Sequence, residues 1–339
     1  MKHCLVTGGA GFIGSHLVEA LLARGDCVAV IDNESTGTRA NLAAVIDHPQ
    51  LHYVYGSVAD RDLVRRMLDG VDEVYHLAAA VGVQLIAESP IHTIETNVYP
   101  VELLLQELAR LQAAGRTVRL FVASSSEVYG KNPKPVWCED DDIVLGSTAR
   151  PRWSYGASKA IDEFLALAYW RQRQLPAVVG RFFNVIGPRQ TGAYGMVLPR
   201  LVDAALASGP LVVHDDGRQE RCFAHVADVV RAVLALMESP LAVGRVFNIG
   251  SNVPVSILAL AQRVIRAVDP VLAIEFITYA AAYGHDFEDC RRRVPDLTRL
   301  RETIGVWPYR TLDETIAEVV AWKRGQREHN TESSSLWGQ

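Results

Sequence analysis

The sequence lacks the features of disulfide-bonded, metal-binding and nucleic-acid-binding proteins. Its five cysteines are odd in number, widely spaced and without a C-x-x-C pair, which argues against a disulfide framework or a zinc site and favours a cytoplasmic location. The net charge is −5, so no basic surplus attracts nucleic acid or anionic lipid. No apolar run approaches the ~20 residues of a membrane span. Because His16, His76 and His225 share no ligand spacing, we expect no metal, no nucleic-acid partner and no membrane partner.

What the chain does contain is a regular alternation of β-branched runs and helical patterns. Residues 4–7, 28–32 and 120–124 predict strands, whereas residues 100–112 and 157–173 predict helices. Strands that alternate with helices favour right-handed crossovers. The sequence therefore predicts an α/β fold, a doubly wound parallel sheet with a smaller, interleaved C-terminal substrate-binding lobe.

The boundaries of the two lobes follow from where this alternation weakens. It loosens after residue 181 and a strand-like run returns at residues 246–249. We therefore expect a nucleotide-binding domain in residues 1–181, rejoined by 221–250, and a substrate lobe in 182–220 and 251–322. Residues 325–339 are polar and lack periodicity, which predicts a disordered tail.

The first strand ends in a glycine turn that precedes a helix. Gly8, Gly11 and Gly14 form a G-x-x-G-x-x-G spacing, which allows a tight turn and presents helix N–H groups to a pyrophosphate. Asp32 closes the second strand, 18 residues after Gly14. A carboxylate there binds a ribose 2′-hydroxyl and repels a 2′-phosphate, which favours NAD over NADP. The alternative is that Asp32 only caps a loop.

A second constellation indicates proton transfer to or from a hydroxyl. Tyr155 and Lys159 are four residues apart at the start of a helix and so share one face. An ammonium beside a phenol favours the phenolate, which can take a proton from an alcohol during hydride loss. Ser125 follows a predicted strand at the carboxyl edge of the sheet, where it can bond the same substrate oxygen. A serine-rich cap is the alternative interpretation.

Further motifs run along the chain, namely HLAAA (76–80), SSSEVYG (124–130), RFFNVIGPRQ (181–190) and DDGRQERCFAHVADV (215–229). Together with TGGAGFIG and YGASK they resemble the extended short-chain dehydrogenase/reductase family that acts on nucleotide sugars, over residues 2 to about 322. The resemblance implies a Rossmann-type fold, NAD as cofactor, and removal of hydride from C4 of a UDP-sugar while Tyr155 takes the hydroxyl proton. Lys159 would also hold the nicotinamide ribose. Implied cofactor contacts are Phe12, Ile13, Asn33, Val58, Leu77, Ala78 and Ala79, although Gly56-Ser57-Val58 departs from the family's Gly-Asp-hydrophobic pattern.

Within that family, three segments are similar to UDP-glucuronate decarboxylases. They are Ser126-Glu127, Pro151-Arg152-Trp153, and a C-terminal region with Tyr283-Gly284, Glu288-Asp289 and Arg293-Val294-Pro295. A 4-keto group beside a C5 carboxylate makes a β-keto acid, so a cation near C5 can steer loss of carbon dioxide. The resemblance assigns Arg293 as cation or proton donor and Glu127, with Ser126, as the group that organises C5. A loop carboxylate and a solvated basic run are the alternatives for Glu127 and for residues 291–293.

The resemblance also implies the other contacts and the assembly. The UDP half of the substrate should meet Asn184, Leu198, Arg200 and Arg221, and Arg292 could pair with the diphosphate. The predicted helices carry more apolar residues than one face requires, so we expect a homodimer through a four-helix bundle. Those apolar residues are Leu103, Leu104, Leu105, Leu108, Phe164, Leu165, Leu167, Ala168, Tyr169 and Trp170.

Two alternative functions stay open at this point, a UDP-sugar 4-epimerase (UDP-glucose/UDP-galactose or UDP-glucuronate type) and a non-catalytic NAD-binding scaffold.

Overall fold

The structure is a computed structural model that describes residues 1–82, 89–193, 196–283, 288–305 and 309–336. Its strands are β1 (His3–Thr7), β2 (Cys27–Asp32), β3 (Leu51–Tyr55), β4 (Glu73–His76), β5 (Arg119–Ser125), β6 (Ala177–Phe182), β7 (Val185–Ile186), β8 (Leu211–His214), β9 (Glu220–Cys222), β10 (Ala224–His225), β11 (Val246–Ile249), β12 (Pro254–Ser256), β13 (Ile274–Ile277) and β14 (Arg292–Arg293). Its helices are α1 (Phe12–Ala23), α2 (Arg61–Met67), α3 (Pro90–Ala113), α4 (Ser154–Arg173), α5 (Val197–Leu206), α6 (Val226–Glu238), α7 (Ile257–Val268), α8 (Tyr279–Tyr283), α9 (Thr298–Ile304) and α10 (Leu312–Leu336). In these ranges no helix is both long and apolar enough to cross a membrane.

Seven parallel strands form the central sheet, in the order β3-β2-β1-β4-β5-β6-β11. Successive strand residues face opposite sides, so Leu5 packs in one core and its neighbour Val6 in the other. Helices α1 and α6 cover the Val6 side, and α3 and α4 cover the Leu5 side. The predicted doubly wound α/β fold is confirmed. Its strand order reverses between β1 and β4, where such sheets bind ligands at the strands' carboxyl ends.

A separate apolar core holds the second lobe together. Helices α5, α7 and α10 contribute Leu201, Leu260 and Val319, which pack with residues of β8 and β13. The chain crosses between the lobes more often than the expected boundaries allow. Residues 220–222 form β9 in a three-stranded sheet with β12 and β14, whereas Leu297 and Leu300 pack in the core beneath α1 and α6.

Helix α10 continues without a break to Leu336, through part of the segment 325–339 for which the sequence predicts a disordered tail. Ile316, Val319 and Val320 bury the first turns of the helix. Lys323 then donates to both carboxylate oxygens of Asp203 at 2.7 Å. Once a helix is nucleated by packing, adding residues is easier than starting a new one, so weak periodicity does not end it.

Helix α3 begins at Pro90, ten residues before its predicted start, and carries Pro100 inside. It runs parallel to α4, because Asn97 bonds Ser158 near one end and Gln112 bonds the Arg173 carbonyl near the other. The four leucines 103, 104, 105 and 108 are all buried within the subunit. They therefore pack in the subunit's own core, where a partner cannot reach them.

Candidate active site

The glycine turn between β1 and α1 lets a ligand approach the protein backbone closely. Gly8 has a φ of +74°, and a Cβ on Gly14 would lie 2.0 Å from the Gly8 carbonyl oxygen. Only glycine fits such contacts, which bring α1 tightly against the strand. All three motif glycines line a cavity of about 580 Å³. The turn therefore fits a dinucleotide pyrophosphate, held by the free N–H groups of α1.

Asp32 lies at the end of β2 and also lines this cavity. Its carboxylate accepts hydrogen bonds from the backbone N–H groups of Ala10 at 2.9 Å and Glu34 at 2.7 Å. Burial raises the pKa of Asp32, against the lowering effect of these N–H groups. The carboxylate is thus fixed beside the glycine turn, where a ribose hydroxyl would lie.

Nearly every candidate site residue predicted from the sequence lines this cavity. The lining includes the expected cofactor contacts Phe12, Ile13, Asn33, Val58, Leu77, Ala78 and Ala79, and the expected substrate contacts Asn184, Leu198, Arg200 and Arg221. Ser125, Ser126, Glu127, Tyr155, Lys159 and Arg293 line the same cavity. Gly284 and residues 83–88 of the loop after HLAAA fall outside the described residues.

Tyr155 and Lys159 lie in the cavity, but their polar groups are not paired as the sequence suggested. The Lys159 ammonium donates to the Asp162 carboxylate at 3.1 Å. Burial raises the pKa of Tyr155; a hydrogen bond with Ser125 lowers it, and the Glu127 and Asp162 carboxylates raise it further. The role of Lys159 in favouring the phenolate stays a prediction.

Glu127 is held between two arginines. The 3₁₀ turn Ser126–Tyr129 follows β5, with Ser125 capping it by accepting from the Glu127 N–H at 3.2 Å. The Glu127 carboxylate receives Arg152 at 2.9 Å and Arg293 at closer range. Burial alone would raise the pKa of Glu127, but Arg293 and Arg152 bring it far below its usual range. Glu127 is thus a permanent anion and not a proton donor near neutral pH.

A second carboxylate, Asp289, ties Arg221 to the same network. Asp289 accepts from Arg221 at 2.8 Å and from the Tyr279 hydroxyl at 2.8 Å, and it lies 3.5 Å from Arg293. Burial opposes ionisation of Asp289, yet Arg221 and Arg293 lower its pKa. Three guanidinium groups therefore surround two carboxylates, leaving one positive charge to attract an anionic ligand.

The expectation that Arg292 binds the diphosphate is wrong. Arg292 and Arg293 are consecutive in β14, so they face opposite sides of the strand. Arg293 is buried and points into the cavity, whereas Arg292 is 43% exposed and pairs with Glu220 and the Pro135 carbonyl. One residue of strand register decides which arginine of the run reaches the site.

Sequence reasoning missed several residues that the structure brings to this cavity. Arg152 was noted only within a motif, and the pairing of Asp289 with Arg221 has no local signal because 68 residues separate them. His214 and Tyr279 also line the cavity, and burial with Arg200 lowers the pKa of His214 to about 4. Asp162 could have been found, because residues three apart on a helix are neighbours.

Comparison with known proteins agrees with this geometry. The model of the NAD dependent epimerase/dehydratase family matches residues 4–250. A UDP-N-acetyl-alpha-D-glucosaminuronate decarboxylase of Bacillus cytotoxicus is 37% identical over 324 residues, 95% of this chain and 98% of the relative. UDP-glucuronic acid decarboxylase 1 of Arabidopsis thaliana is 33% identical over 334 residues, 98% of this chain and 72% of the relative.

Solved structures give the same result at the level of the fold. A UDP-glucuronic acid 4-epimerase from Bacillus cereus, solved with UDP-glucuronic acid and NAD, superposes with a TM-score of 0.85. It is 26% identical, and the match covers 96% of this chain and 99% of that one. The family resemblance and the NAD cofactor are confirmed. The chain belongs to the NAD-dependent epimerase/dehydratase family, and it is an NAD-dependent enzyme of nucleotide-sugar metabolism.

Proposed function

We propose that this enzyme oxidises C4 of a UDP-hexuronate and then removes its C6 carboxyl group as carbon dioxide, which yields a UDP-pentose such as UDP-xylose, its 4-keto form, or both. One observation carries the proposal: Glu127, Arg152 and Arg293 form an ion-paired cluster beside Tyr155 in one cavity. A cationic group next to the oxidation site suits a substrate carboxylate one carbon away from C4. The two curated relatives named above are both decarboxylases of UDP-sugar acids.

The first step is the removal of two hydrogens from C4 and its hydroxyl. Bound NAD supplies the hydride acceptor. Tyr155 takes the hydroxyl proton, and Ser125, which is hydrogen-bonded to Tyr155, orients the same oxygen. Lys159, one helical turn from Tyr155 and ion-paired with Asp162, would favour the phenolate that takes this proton.

The second step breaks the C5–C6 bond of the resulting β-keto acid. The electron pair of that bond moves toward the C4 oxygen as carbon dioxide leaves, and hydrogen bonds from Ser125 and the protonated Tyr155 stabilise the enolate. Burial alone lowers the pKa of Arg293, but Glu127 and Asp289 raise it above its usual range. Arg293 is thus a fixed cation that orients the carboxylate, and a proton from water replaces the carboxyl group at C5, which gives the 4-keto pentose. UDP-xylose would form if the hydride then returned to C4 while Tyr155 returned its proton to the C4 oxygen.

The nucleotide half of the substrate lies on the far side of the cavity. Arg221 is suited to the diphosphate because a guanidinium fork can bond two phosphate oxygens. Arg200, Asn184 and Leu198 complete this subsite. Residues 1–181 would hold the cofactor, and the second lobe, together with Arg221 on β9, the UDP group.

The proposed assembly is a homodimer through α3 and α4. These parallel helices leave Ile94, Tyr99, Ile161 and Phe164 exposed, with Phe164 67% accessible. An apolar face on two adjacent helices suits a second copy of the same pair, which gives a four-helix bundle about a two-fold axis. The cytoplasmic location stays a prediction.

The test is direct incubation with UDP-glucuronate and, separately, UDP-N-acetylglucosaminuronate, with carbon dioxide and the nucleotide product measured. We expect carbon dioxide from at least one of them and one solvent deuterium at C5 in heavy water. A 4-epimer of UDP-glucuronate or interconversion of UDP-glucose and UDP-galactose, without carbon dioxide, would support the epimerase alternative. If Tyr155→Phe changes no activity, the scaffold alternative is favoured.

Arg293→Ala and Arg292→Ala form a matched pair for the second step. The two arginines are neighbours on one strand, but only Arg293 reaches the cavity. We expect Arg293→Ala to lower carbon dioxide release by a factor of about 100 or more, the usual effect of losing one preorganised charged donor. Arg292→Ala should stay within about twofold, since exposed ion pairs contribute little.

A further inference from the structure

Residues 288–293 form a segment, which we call the arm, that carries Asp289 and Arg293 into the cavity. The end of the arm is held by backbone pairing, because β14 runs beside β9. Its first residue, Glu288, is instead held through its side chain, which is 27% exposed. The proposed chemistry does not use this carboxylate. The position of Asp289, the next residue, therefore depends on what holds Glu288.

Three side chains of the nucleotide-binding domain converge on the Glu288 carboxylate. The indole N–H of Trp153 donates to it at 3.1 Å, and the Lys131 ammonium lies 3.3 Å from the same oxygen. The Arg150 guanidinium pairs with the other oxygen. Burial alone would raise the pKa of Glu288, but Lys131, Trp153 and Arg150 lower it. Glu288 is thus an anion at neutral pH that joins the arm to residues 131–153.

Trp153, the partner of Glu288, has a fixed position beside the site. The side chain is buried, and a Cβ on Gly146 would lie 2.0 Å from its indole nitrogen, so glycine leaves room for the ring. Glu288 accepts a buried N–H that would otherwise lose its hydrogen bond. The Arg152 guanidinium lies over the ring, 5.5 Å from its centroid. Glu288 therefore acts, through one indole, on the guanidinium that pairs with Glu127.

These contacts form a closed ring. From Trp153 and Arg152 it continues through Glu127, which pairs with both Arg152 and Arg293. Arg293 lies 3.5 Å from Asp289, the neighbour of Glu288 in the chain. Removing the Glu288 carboxylate opens the ring between the arm and Trp153. Because a misplacement of about 1 Å is enough to lower catalysis markedly, the spacing of the two arginines depends on this closure.

We propose that Glu288 is a positioning residue for the ion-paired cluster of Glu127, Arg152 and Arg293: its carboxylate joins the arm to Trp153 and so sets the spacing of the two arginines that receive the carboxylate of a UDP-sugar acid. The inference rests on the proposed function for the identity of that ligand group. Glu288 then governs recognition and loss of the carboxylate. It leaves the oxidation of C4 in place, since Ser125 and Tyr155 are not members of the ring.

The first experiment compares the affinities of UDP-glucuronate and UDP-glucose by calorimetry, with NAD bound. The wild type should bind UDP-glucuronate more tightly. Glu288→Ala should weaken UDP-glucuronate about tenfold, the equivalent of one hydrogen bond to a charged group, and change UDP-glucose less than about twofold. Glu288→Gln keeps an acceptor for the indole N–H and loses only exposed ion pairs, so its affinity should lie within about threefold of the wild type. An equal loss for both ligands would overturn the proposal, because it would indicate a general structural role.

Asp216→Ala is the matched control. Asp216 pairs with Arg291 of the same arm at 2.7 Å, but its side chain is 38% exposed and no contact of the ring passes through it. Both affinities should stay within about twofold, as for other exposed ion pairs. Thermal unfolding identifies the folded variants. If Glu288→Ala does not fold, Trp153→Phe removes the indole N–H and keeps a ring beneath Arg152, and it should show the same selective loss of UDP-glucuronate.

The second experiment follows cofactor reduction and carbon dioxide release separately in a single turnover of UDP-glucuronate. Glu288→Ala should slow carbon dioxide release between about ten and one hundredfold and cofactor reduction less than about threefold, so reduced cofactor accumulates. Carbon dioxide release at the wild-type rate would refute the positioning role and leave the proposed function intact. Selective loss of UDP-glucuronate affinity, in a protein whose wild type releases no carbon dioxide, would do the reverse. A wild type that binds the two ligands equally would overturn the inference, since the cluster would then not receive a carboxylate.

Discussion

Removing the Glu127 carboxylate should make the enzyme a better binder and a worse catalyst. Glu127 neutralises Arg152 and Arg293, whose side chains are 6% and 8% exposed. In Glu127→Gln these guanidinium groups stay buried and charged without their shared anion. Two unit charges 4 Å apart interact by about 4 kcal/mol at an effective dielectric constant of 20. A substrate carboxylate that replaces Glu127 would recover part of that energy.

We expect UDP-glucuronate to bind Glu127→Gln between about ten and one hundred times more tightly, equivalent to about 1.4 to 2.8 kcal/mol. Carbon dioxide release should fall, because Arg293 is no longer held at the C5 position. The free energy of unfolding of the ligand-free variant should fall by about 3 kcal/mol or more, as when one partner of a buried ion pair is removed. UDP-glucuronate should then raise its melting temperature more than that of the wild type.

Isothermal titration calorimetry with UDP-glucuronate and UDP-glucose tests the reasoning. UDP-glucose has the same nucleotide and diphosphate but no carboxylate, so its affinity should change less than threefold. The reasoning is refuted if UDP-glucuronate binds the variant more weakly, or if both ligands tighten by the same factor. The first result would mean that Glu127 itself contacts the substrate, and the second that the change acts through the diphosphate.

Three further predictions address the cofactor turn, the pH dependence of stability, and the assembly. Gly14→Ala places a methyl group 2.0 Å from a carbonyl oxygen of the turn and should weaken NAD binding, measured by calorimetry, at least tenfold. The control Gly325→Ala has open space around the added methyl group. It should leave NAD binding unchanged and stabilise α10 by about 0.5 to 1 kcal/mol. Burial alone would raise the pKa of Glu107, but three arginines lower it from 4.5 to about 2. The contribution of Glu107 to the stability of the folded protein is therefore complete above pH 4.5 and is lost as the pH falls toward 2. Glu107→Gln should abolish that part of the acid dependence in urea unfolding, and an unchanged dependence would contradict the assignment. Phe164→Glu should convert a dimer to a monomer in sedimentation. The control Leu241→Glu changes a residue that is also exposed, at 65%, but lies outside α3 and α4, so it should leave the dimer intact. A dimer in both variants would place the interface on another surface.

Local patterns carried the prediction of the fold and of the cofactor turn. Strand periodicity and glycine spacing are properties of a few consecutive residues, and the cofactor turn depends on the missing side chains at Gly8 and Gly14. Asp32 follows from the end of the next strand. These features are determined within one βαβ unit, so the sequence alone identified the dinucleotide side of the cavity.

The polar side of the cavity depends on contacts between distant segments. Arg293 reaches Glu127 across 166 residues, and only the register of a two-residue strand distinguishes it from Arg292. Helix α10 persists because it packs on the second lobe, although its own sequence pattern is weak.

By itself the sequence determined which chemical groups are available: a glycine turn, a ribose-binding carboxylate, and a tyrosine and a lysine on one helical face. Only the tertiary structure decided which charges from distant segments are paired, namely Glu127 with two arginines and Asp289 with Arg221. The physical reason is that the spacing of neighbouring residues follows from local backbone geometry. The partner of a buried charge instead depends on which distant segments exclude water around it.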